Sequence, residues 1–359
     1  MIRVLHMIDR NTPVDALRQL GRLVRPTDRI VSVGPGPDYP LPVVVEEWHE
    51  PMGSAWACGM WNAPKAAEMD LVHVWSTRAQ RAAEVIAPTV GQGALVRTLP
   101  AVPPGGKPLR RLVRSLQAEN LMVLLPTQAA RDALLAQGVD GNRVAVLPTG
   151  AAPLENHADR RQRLRAELNL PDDAFLIVAP DQLVRPANHN YAAWAHAIMR
   201  YVLDEPSFLL VPATGPMERA FKTFARGAGF IDRTFVSLEP EQYEDALAAA
   251  DVAVFFRQSD CGSSSLTAAM ASGCPIVAFD TPDVVETLAD AAIYTQSRTP
   301  RAAGQALLRL REEAGLAEQL TQQARQRAER YPLDAAQTAL DTLYAQLLPR
   351  TVAPAAVGE

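Results

Sequence analysis

The chain has 359 residues, of which 48% are hydrophobic and 21% are charged, a composition that excludes wholesale disorder and fibrous repeats and a length that exceeds one ordinary core. The net charge of -5 and the pI of about 5.8 exclude the broad basic surface that nucleic-acid binding needs. The three cysteines form no CxxC pair and no histidine stands at metal-ligand spacing, so we predict neither a disulfide framework nor a metal site.

Short β-branched runs alternate with helical stretches in the first half of the chain, which favours parallel βαβ units. Apolar residues spaced three and four apart indicate core-facing helices at 12–24 and 128–136. We therefore expect an N-terminal Rossmann-like domain over residues 1–152. Its predicted strands are Ile2–Ile8, Arg29–Val33, Pro42–Glu46, Leu71–Trp75, Leu121–Leu125 and Val144–Leu147.

The alternation pauses at a Pro/Gly-rich step, and residues 153–165 are interpreted as a hinge with a charged connecting helix. It then resumes in a second Rossmann-like domain over 166–332, followed by a helix at 333–350 and a flexible tail at 351–359. Two such domains leave a cleft between them, and open α/β sheets bind ligands at the carboxyl ends of their strands. The predicted strands are Phe175–Ala179, Phe208–Val211, Thr234–Ser237, Val252–Phe256 and Pro275–Phe279.

The most informative window, residues 251–279, predicts a strand, a small-residue loop, a helix and another strand. The loop of Gly262, Ser263, Ser264 and Ser265 leads into that helix. Unpaired backbone N–H groups at a helix start suit a phosphate or diphosphate. A plain helix N-cap explains the serines equally well on spacing alone.

Three further motifs are informative, namely Val144-Ala-Val-Leu-Pro-Thr-Gly150, Ala269-Met-Ala-Ser-Gly-Cys-Pro-Ile-Val-Ala278 and Thr281-Pro-Asp-Val-Val-Glu286. In this order along the chain, they resemble the motifs of the family-four retaining glycosyltransferases of GT-B fold. Further similar segments are 163–171 with the strand after it, and Asp70-Leu-Val-His73 in the first domain. The similarity spans nearly the whole chain and implies an α/β fold of two Rossmann-like domains facing across a cleft, with the C-terminal helix crossing back to the first domain.

The same resemblance implies where the donor nucleotide sugar is held. Asp260 and His73 are the implied catalytic residues, and residues 10–12 form the implied first-domain loop near the phosphates, namely Arg10, Asn11 and Thr12. The implied donor-binding residues are Gln182, Arg185, Asn188, Gly262, Ser263, Ser264, Ser265 and Thr267.

This chain departs from the family pattern at the positions that bind the diphosphate. The paired glutamates of the family fall here at Asp260 and Ala268, and its paired cations fall at Gln182 and Ala187. Trp75 stands where the family often has a second histidine. Since each charge-assisted contact contributes roughly 1.5–3 kcal/mol, the two missing cations cost on the order of 3–6 kcal/mol of binding or rate.

Isolated side chains leave two interpretations open. Arg185, Arg10 and Arg257 either reach the phosphates or are solvated loop residues. For His189 and His196 we favour surface or capping positions over a catalytic base, and for the tryptophans of the acceptor-side segment we favour core packing over stacking on an acceptor. Those tryptophans are Trp48, Trp56 and Trp61.

The expected function is transfer of a sugar, with retention, from a nucleotide-diphosphate donor to a glycan, lipid or small-molecule acceptor. No cofactor, metal, nucleic-acid partner or membrane-spanning segment is expected, contact with a membrane surface stays open, and the expected location is cytoplasmic. Alternatives are a non-catalytic partner subunit of glycan assembly and, more weakly, a nucleotide-sugar epimerase. A dinucleotide oxidoreductase is less favoured still, because no GxGxxG follows a strand.

Overall fold

The computed structural model describes residues 2–37, 41, 43–91, 93–103, 105–118, 121–203, 206–239, 242–258 and 264–348. Within them lie two parallel sheets, of seven and six strands. Their central strands are short, mostly apolar runs buried on both faces, as parallel sheets covered by helices require, whereas edge strands are partly exposed. The chain is thus an α/β protein of two Rossmann-like halves.

The first sheet has the strand order β3-β2-β1-β4-β5-β6-β7. Helices α2 to α5 contribute to the core on one face, while α1 lies on the other face. Its strands are β1 Val4–Ile8, β2 Arg29–Val33, β3 Val45–Trp48, β4 Leu71–Val74, β5 Leu95–Thr98, β6 Leu121–Leu125 and β7 Val144–Val146. Its helices are α1 Val14–Leu23, α2 Ala55–Ala66, α3 Thr77–Ile86, α4 Gly106–Ala118 and α5 Gln128–Leu135.

The second sheet has the order β10-β9-β8-β11-β12-β13. All its strands are parallel, and successive strands are added to one edge of the sheet up to β10 and to the other edge from β11 onward. The charged helix α6, His157–Glu167, packs on this domain through arginines that bind Asp245 and Asp251. The strands are β8 Phe175–Val178, β9 Ser207–Val211, β10 Thr234–Val236, β11 Val252–Phe255, β12 Ile276–Ala278 and β13 Ile293–Tyr294. The helices are α7 His189–Val202, α8 Glu218–Gly227, α9 Tyr243–Ala249, α10 Ser264–Ser272, α11 Pro282–Leu288, α12 Pro300–Glu312 and α13 Leu316–Ala328.

The last helix, α14 at Leu333–Leu347, returns to the first domain, as expected from the sequence. It places Ala336, Leu340 and Tyr344 in the core that α1 forms with the first sheet. The outward and return crossings of the chain lie side by side, because the N–H of Ala151 donates to the carbonyl of Tyr331 at 2.9 Å. Gly150 permits this approach, since a Cβ there would lie 2.6 Å from the Cα of Leu333.

Eleven predicted strands coincide with observed strands, with their ends shifted by up to three residues. Two strands were missed. The run of β5 contains the buried Arg97, which binds Gln80 and Thr77, and a charge inside a short run hides its strand character. β13 has only two residues. In the part of the chain that the structure describes, no helix is both long and apolar enough to cross a bilayer.

Candidate functional site

The carboxyl ends of β8 and β11 meet at the point where the strand order of the second sheet reverses. The loop after β8 is tied to the end of β11 by two hydrogen bonds. The N–H of Gln258 donates to the carbonyl of Pro186 at 2.9 Å, and the side-chain amide of Asn188 donates to the carbonyl of Phe256 at 3.4 Å. Such a reversal is where doubly wound sheets bind ligands, so the candidate site lies here.

The structure brings three predicted donor-binding residues together in the loop after β8. Gln182 is half-buried and Arg185 is exposed. The Arg185 guanidinium has no hydrogen-bond or ion-pair partner among the described residues. Asn188 has a left-handed backbone, with φ of 59°, directly before α7. Arg185 is therefore the cation of this loop that is free to meet a ligand.

The hydroxyls at the start of α10 face into the domain. Ser265 donates to an Asp181 oxygen at 2.6 Å, and Thr267 donates to the carbonyl of Ser264 at 3.1 Å. The side chains of Ser264, Ser265 and Thr267 are all buried. This placement corrects the expectation that the Ser265 and Thr267 hydroxyls contact a donor. The predicted residues Asp260, Gly262 and Ser263 lie outside the described residues.

A buried ion-pair network lies beneath the same loop. The fully buried Arg257 donates through Nε and Nη2 to both carboxylate oxygens of Asp181, at 2.7 and 2.5 Å, and through Nη1 to Asp283 at 3.2 Å. Its Nη2 also donates to Ser265 at 2.7 Å. The single guanidinium thus serves two buried carboxylates. Arg257 is neither a solvated residue nor a phosphate ligand, contrary to both interpretations of the sequence.

In the first domain, residues 10–12 follow β1, at the corresponding reversal of the first sheet. Arg10 and Asn11 are exposed, whereas the buried Thr12 hydroxyl accepts the Asp9 N–H at 2.8 Å and shapes the turn. The Arg10 guanidinium has no polar partner in the portion of the chain described. Helix α1, which follows this loop, contacts α10 of the second domain. Each domain therefore places at the carboxyl edge of its sheet an arginine, Arg10 or Arg185, that has no polar partner among the residues the structure describes.

His73 lies in the core of the first domain rather than in the cleft. Its Nδ1 is 2.5 Å from the Tyr344 hydroxyl, and its Nε2 is 2.7 Å from the Thr98 hydroxyl. Its ring stacks on Trp75 with centroids 4.4 Å apart, and burial holds its pKa well below the ordinary value. The predicted catalytic role of His73 is wrong for this arrangement, because both ring nitrogens are bonded and the side chain is fully buried.

Of the remaining predictions for tryptophans and histidines, one is confirmed and the others are wrong about burial. Trp48 is buried as predicted, but the side chains of Trp56 and Trp61 on α2 are 59% and 75% exposed. His189 and His196 are buried, not on the surface, and bind the backbone carbonyls of Asp181 and Ser207 at 3.0 and 2.9 Å. The expected surface or capping positions of His189 and His196 are therefore wrong.

No group of three or more potential metal ligands occurs within the described ranges. Sequence reasoning missed the Asp181–Arg257–Asp283 network and the contact of the Glu286 carboxylate with the backbone N–H groups of Gln128 and Ala129 in the first domain. An arginine two residues after a buried apolar strand was the available signal for the network.

Comparison with solved structures supports this architecture along almost the entire chain. The Anabaena protein Alr3699/HepE, solved in complex with UDP and glucose, matches with a TM-score of 0.79 and 16% identity over 96% of this chain and 100% of its own. Sucrose-phosphate synthase from Thermosynechococcus elongatus gives 0.74 and 17% identity over 97% and 99%. A glycosyltransferase from Rickettsia africae ESF-5 gives 0.75 and 13% over 98% and 99%.

The chain has the GT-B fold. Residues 160–327, which contain the whole candidate site of the second domain, match the family described as glycosyl transferases group 1. No curated protein matches the sequence at a significant level. In this GT-B protein the family match therefore lies in the second half of the chain, whereas the likeness to solved structures extends over the first half as well.

Proposed function

We propose that this GT-B protein transfers a sugar, with retention, from a nucleotide-diphosphate donor bound at the carboxyl ends of β8 and β11. The family match and the position of the 181–188 loop at the sheet reversal support this proposal. The observation that carries it is the exposed Arg185 in that loop, which has no partner among the described residues, since a guanidinium is well suited to a diphosphate. The first domain then supplies Arg10 from the opposite side of the cleft and receives the acceptor.

Nucleoside diphosphates should raise the melting temperature of the protein, and Arg185 should account for much of the affinity. Ligand at a hundred times its Kd stabilises by about 2.7 kcal/mol. Because a charge-assisted hydrogen bond contributes about 1.5–3 kcal/mol, Arg185→Ala should raise the Kd by roughly tenfold to a hundredfold. Thermal shift with UDP, GDP and ADP identifies the base, and calorimetry measures the Kd.

Arg219→Ala is the matched control, because Arg219 is exposed on α8 of the same domain. Nucleoside monophosphates should bind Arg185→Ala and the parent protein equally if the guanidinium meets the second phosphate. Absence of a shift with all three diphosphates, or equal diphosphate affinity of Arg185→Ala and the parent, would contradict the proposed site. Donor hydrolysis or transfer that is lost in Asp260→Ala separates catalysis from a binding subunit, and the anomeric configuration of the product tests retention.

One surface of the first domain favours an acceptor held at an anionic membrane. On α2, Trp56, Met60 and Trp61 are all more than half exposed. On α4, which packs against the same face of the sheet, four exposed cations have no ion-pair partner within the described part of the chain. Exposed aromatic residues and basic amphipathic helices are both typical of surfaces that bind anionic lipid. The four cations are Lys107, Arg110, Arg111 and Arg114.

This surface borders the cleft, because α2 and α4 follow the carboxyl ends of β3 and β5. The protein should sediment with vesicles of phosphatidylcholine and phosphatidylglycerol, less so at high salt, and not with phosphatidylcholine alone. Each lysine or arginine near an anionic surface contributes about 1 kcal/mol, so changing the four α4 cations to glutamine should weaken binding by more than a hundredfold. Trp56→Ala with Trp61→Ala should weaken it further. Equal sedimentation with both vesicle types would count against an anionic surface.

A further inference from the structure

The carboxylate of Glu286, in the second domain, reaches across to helix α5 of the first domain. One oxygen, Oε1, accepts the backbone N–H of Gln128 at 2.6 Å. The other, Oε2, accepts the N–H of Ala129 at 2.6 Å. A single side chain therefore joins the two domains with two charge-assisted hydrogen bonds.

These two N–H groups belong to the first turn of α5, whose donors have no partner within the helix. The cap residue of α5 satisfies only the next donor, because the Thr127 hydroxyl accepts the N–H of Ala130 at 3.1 Å. Glu286 therefore completes the cap of a helix in the other domain. Its negative charge also lies at the positive end of the α5 dipole.

The backbone of Glu286 is fixed within the second domain by hydrogen bonds. The Arg327 guanidinium donates through Nη2 to the carbonyl of Glu286 at 2.6 Å and through Nε to that of Thr287 at 2.9 Å. The Tyr331 hydroxyl donates to the Glu286 carbonyl at 3.4 Å. The end of α11 is thereby tied to α13 and to the return crossing of the chain. The backbone from which the Glu286 side chain reaches α5 is therefore fixed to this part of the second domain.

Arginines of α1 make further contacts between the domains. Arg22 of α1 lies 3.9 Å from Glu244 of α9, an ion pair with both side chains partly exposed. The guanidinium carbon of Arg18 lies 3.3 Å above the ring of Tyr243. Partly exposed ion pairs contribute little. Among the contacts described, the Glu286 cap is thus the one in which a charged group meets two backbone donors of the facing domain.

We propose that Glu286 is an interdomain latch, which holds the first and second domains at the separation seen here by capping α5. Opening the cleft breaks both hydrogen bonds and leaves the α5 donors to water. The latch acts on the separation of the domains, whether or not the protein transfers a sugar. If the transfer occurs, the latch sets how often the acceptor-side domain meets the donor site.

Two variants remove the latch from opposite sides. Glu286→Ala removes the acceptor. Gln128→Pro removes one donor and leaves the helix intact, because proline is favoured at the first helical position and Thr127 before it is extended, with ψ of 156°. Glu312→Ala, on an exposed position of α12, and Gln128→Ala, which keeps the N–H, are the matched controls.

Small-angle X-ray scattering of the full chain measures the opening, and circular dichroism verifies the fold of each variant. We expect the ratio of open to closed molecules to rise about tenfold in Glu286→Ala, which corresponds to about 1.4 kcal/mol. Gln128→Pro should move it in the same direction, and the two changes together should add little to Glu286→Ala alone. A radius of gyration in Glu286→Ala and Gln128→Pro equal to that of both controls would overturn the latch, whether or not a nucleotide binds.

Discussion

Replacing Arg257 with alanine should lower the opening free energy of the second domain by about 3–5 kcal/mol, because the change leaves Asp181 and Asp283 as buried carboxylates without a cation. Native-state hydrogen exchange at the strand amides of β8 and β11 measures this quantity in the full chain. The first domain contains none of the network, so its amides should change far less.

Two variants sharpen the Arg257 experiment. Arg185→Ala removes an exposed arginine of the adjoining loop that has no described partner, and its effect should stay within about 0.5 kcal/mol. Arg257→Lys keeps the charge but cannot reproduce four hydrogen bonds from one planar group, so it should fall between alanine and the parent protein. An Arg257→Ala protein as stable as Arg185→Ala would show that the buried guanidinium does not support the domain.

Lowering the pH from 7.5 to 5.5 should destabilise the protein by on the order of 2–4 kcal/mol through its buried histidines. Burial is the main cause that lowers the pKa of His73 well below 6.5 and that of His196 to about 4. The pKa values of His6 and His189 are also lowered, chiefly by burial, although Asp28 and Asp181 oppose the shift. As the pH is lowered, the histidines of the unfolded chain take up protons near pH 6.5, whereas those of the folded chain take them up only at lower pH. The free energy of unfolding therefore decreases as the pH decreases from 7.5 to 5.5.

Urea unfolding at a series of pH values tests this expectation, and the slope of stability against pH should be positive between about 4 and 6.5. Asp28 acts in a lower range. Burial opposes the shift, but hydrogen bonds from His6 and Arg25 lower the pKa of Asp28 from 3.8 to about 2, so its contribution to stability is complete above pH 3.8 and is lost as the pH falls towards 2. His196→Gln, which offers an amide to the Ser207 carbonyl, should reduce the slope by about one proton. A stability that does not change between pH 7.5 and 5.5 would contradict the neutral state of the buried histidines.

The sequence predicted most of the fold because parallel strands covered on both faces are short apolar runs between turn residues. β2 and β6 were placed with the correct bounds, and α14 was expected to return to the first domain. β5 was missed because the strand buries Arg97, whose partners Gln80 and Thr77 are distant in sequence. Periodicity reports which residues are apolar, and it cannot show that a charged residue has found buried partners.

The candidate site was harder to predict, because side-chain direction depends on contacts between distant segments. The loop with Arg185 and Asn188 lies at the sheet reversal, as the order of elements implied. Ser265, however, faces inward because Arg257 and Asp181 bind it. His73 occupies a strand that resembles a catalytic one, yet Tyr344, 271 residues away in sequence, engages its ring. None of these pairings leaves a local pattern.

The return of α14 makes the first domain discontinuous in sequence, and this affects how the protein is completed during synthesis. Domains generally fold as units while the chain emerges from the ribosome, the N-terminal one first. Here the Tyr344 ring and the apolar side of α14 enter a core whose other members are translated some two to three hundred residues earlier. The face of the first domain that α14 covers therefore stays exposed until the second domain has been synthesised and α14 has left the ribosome.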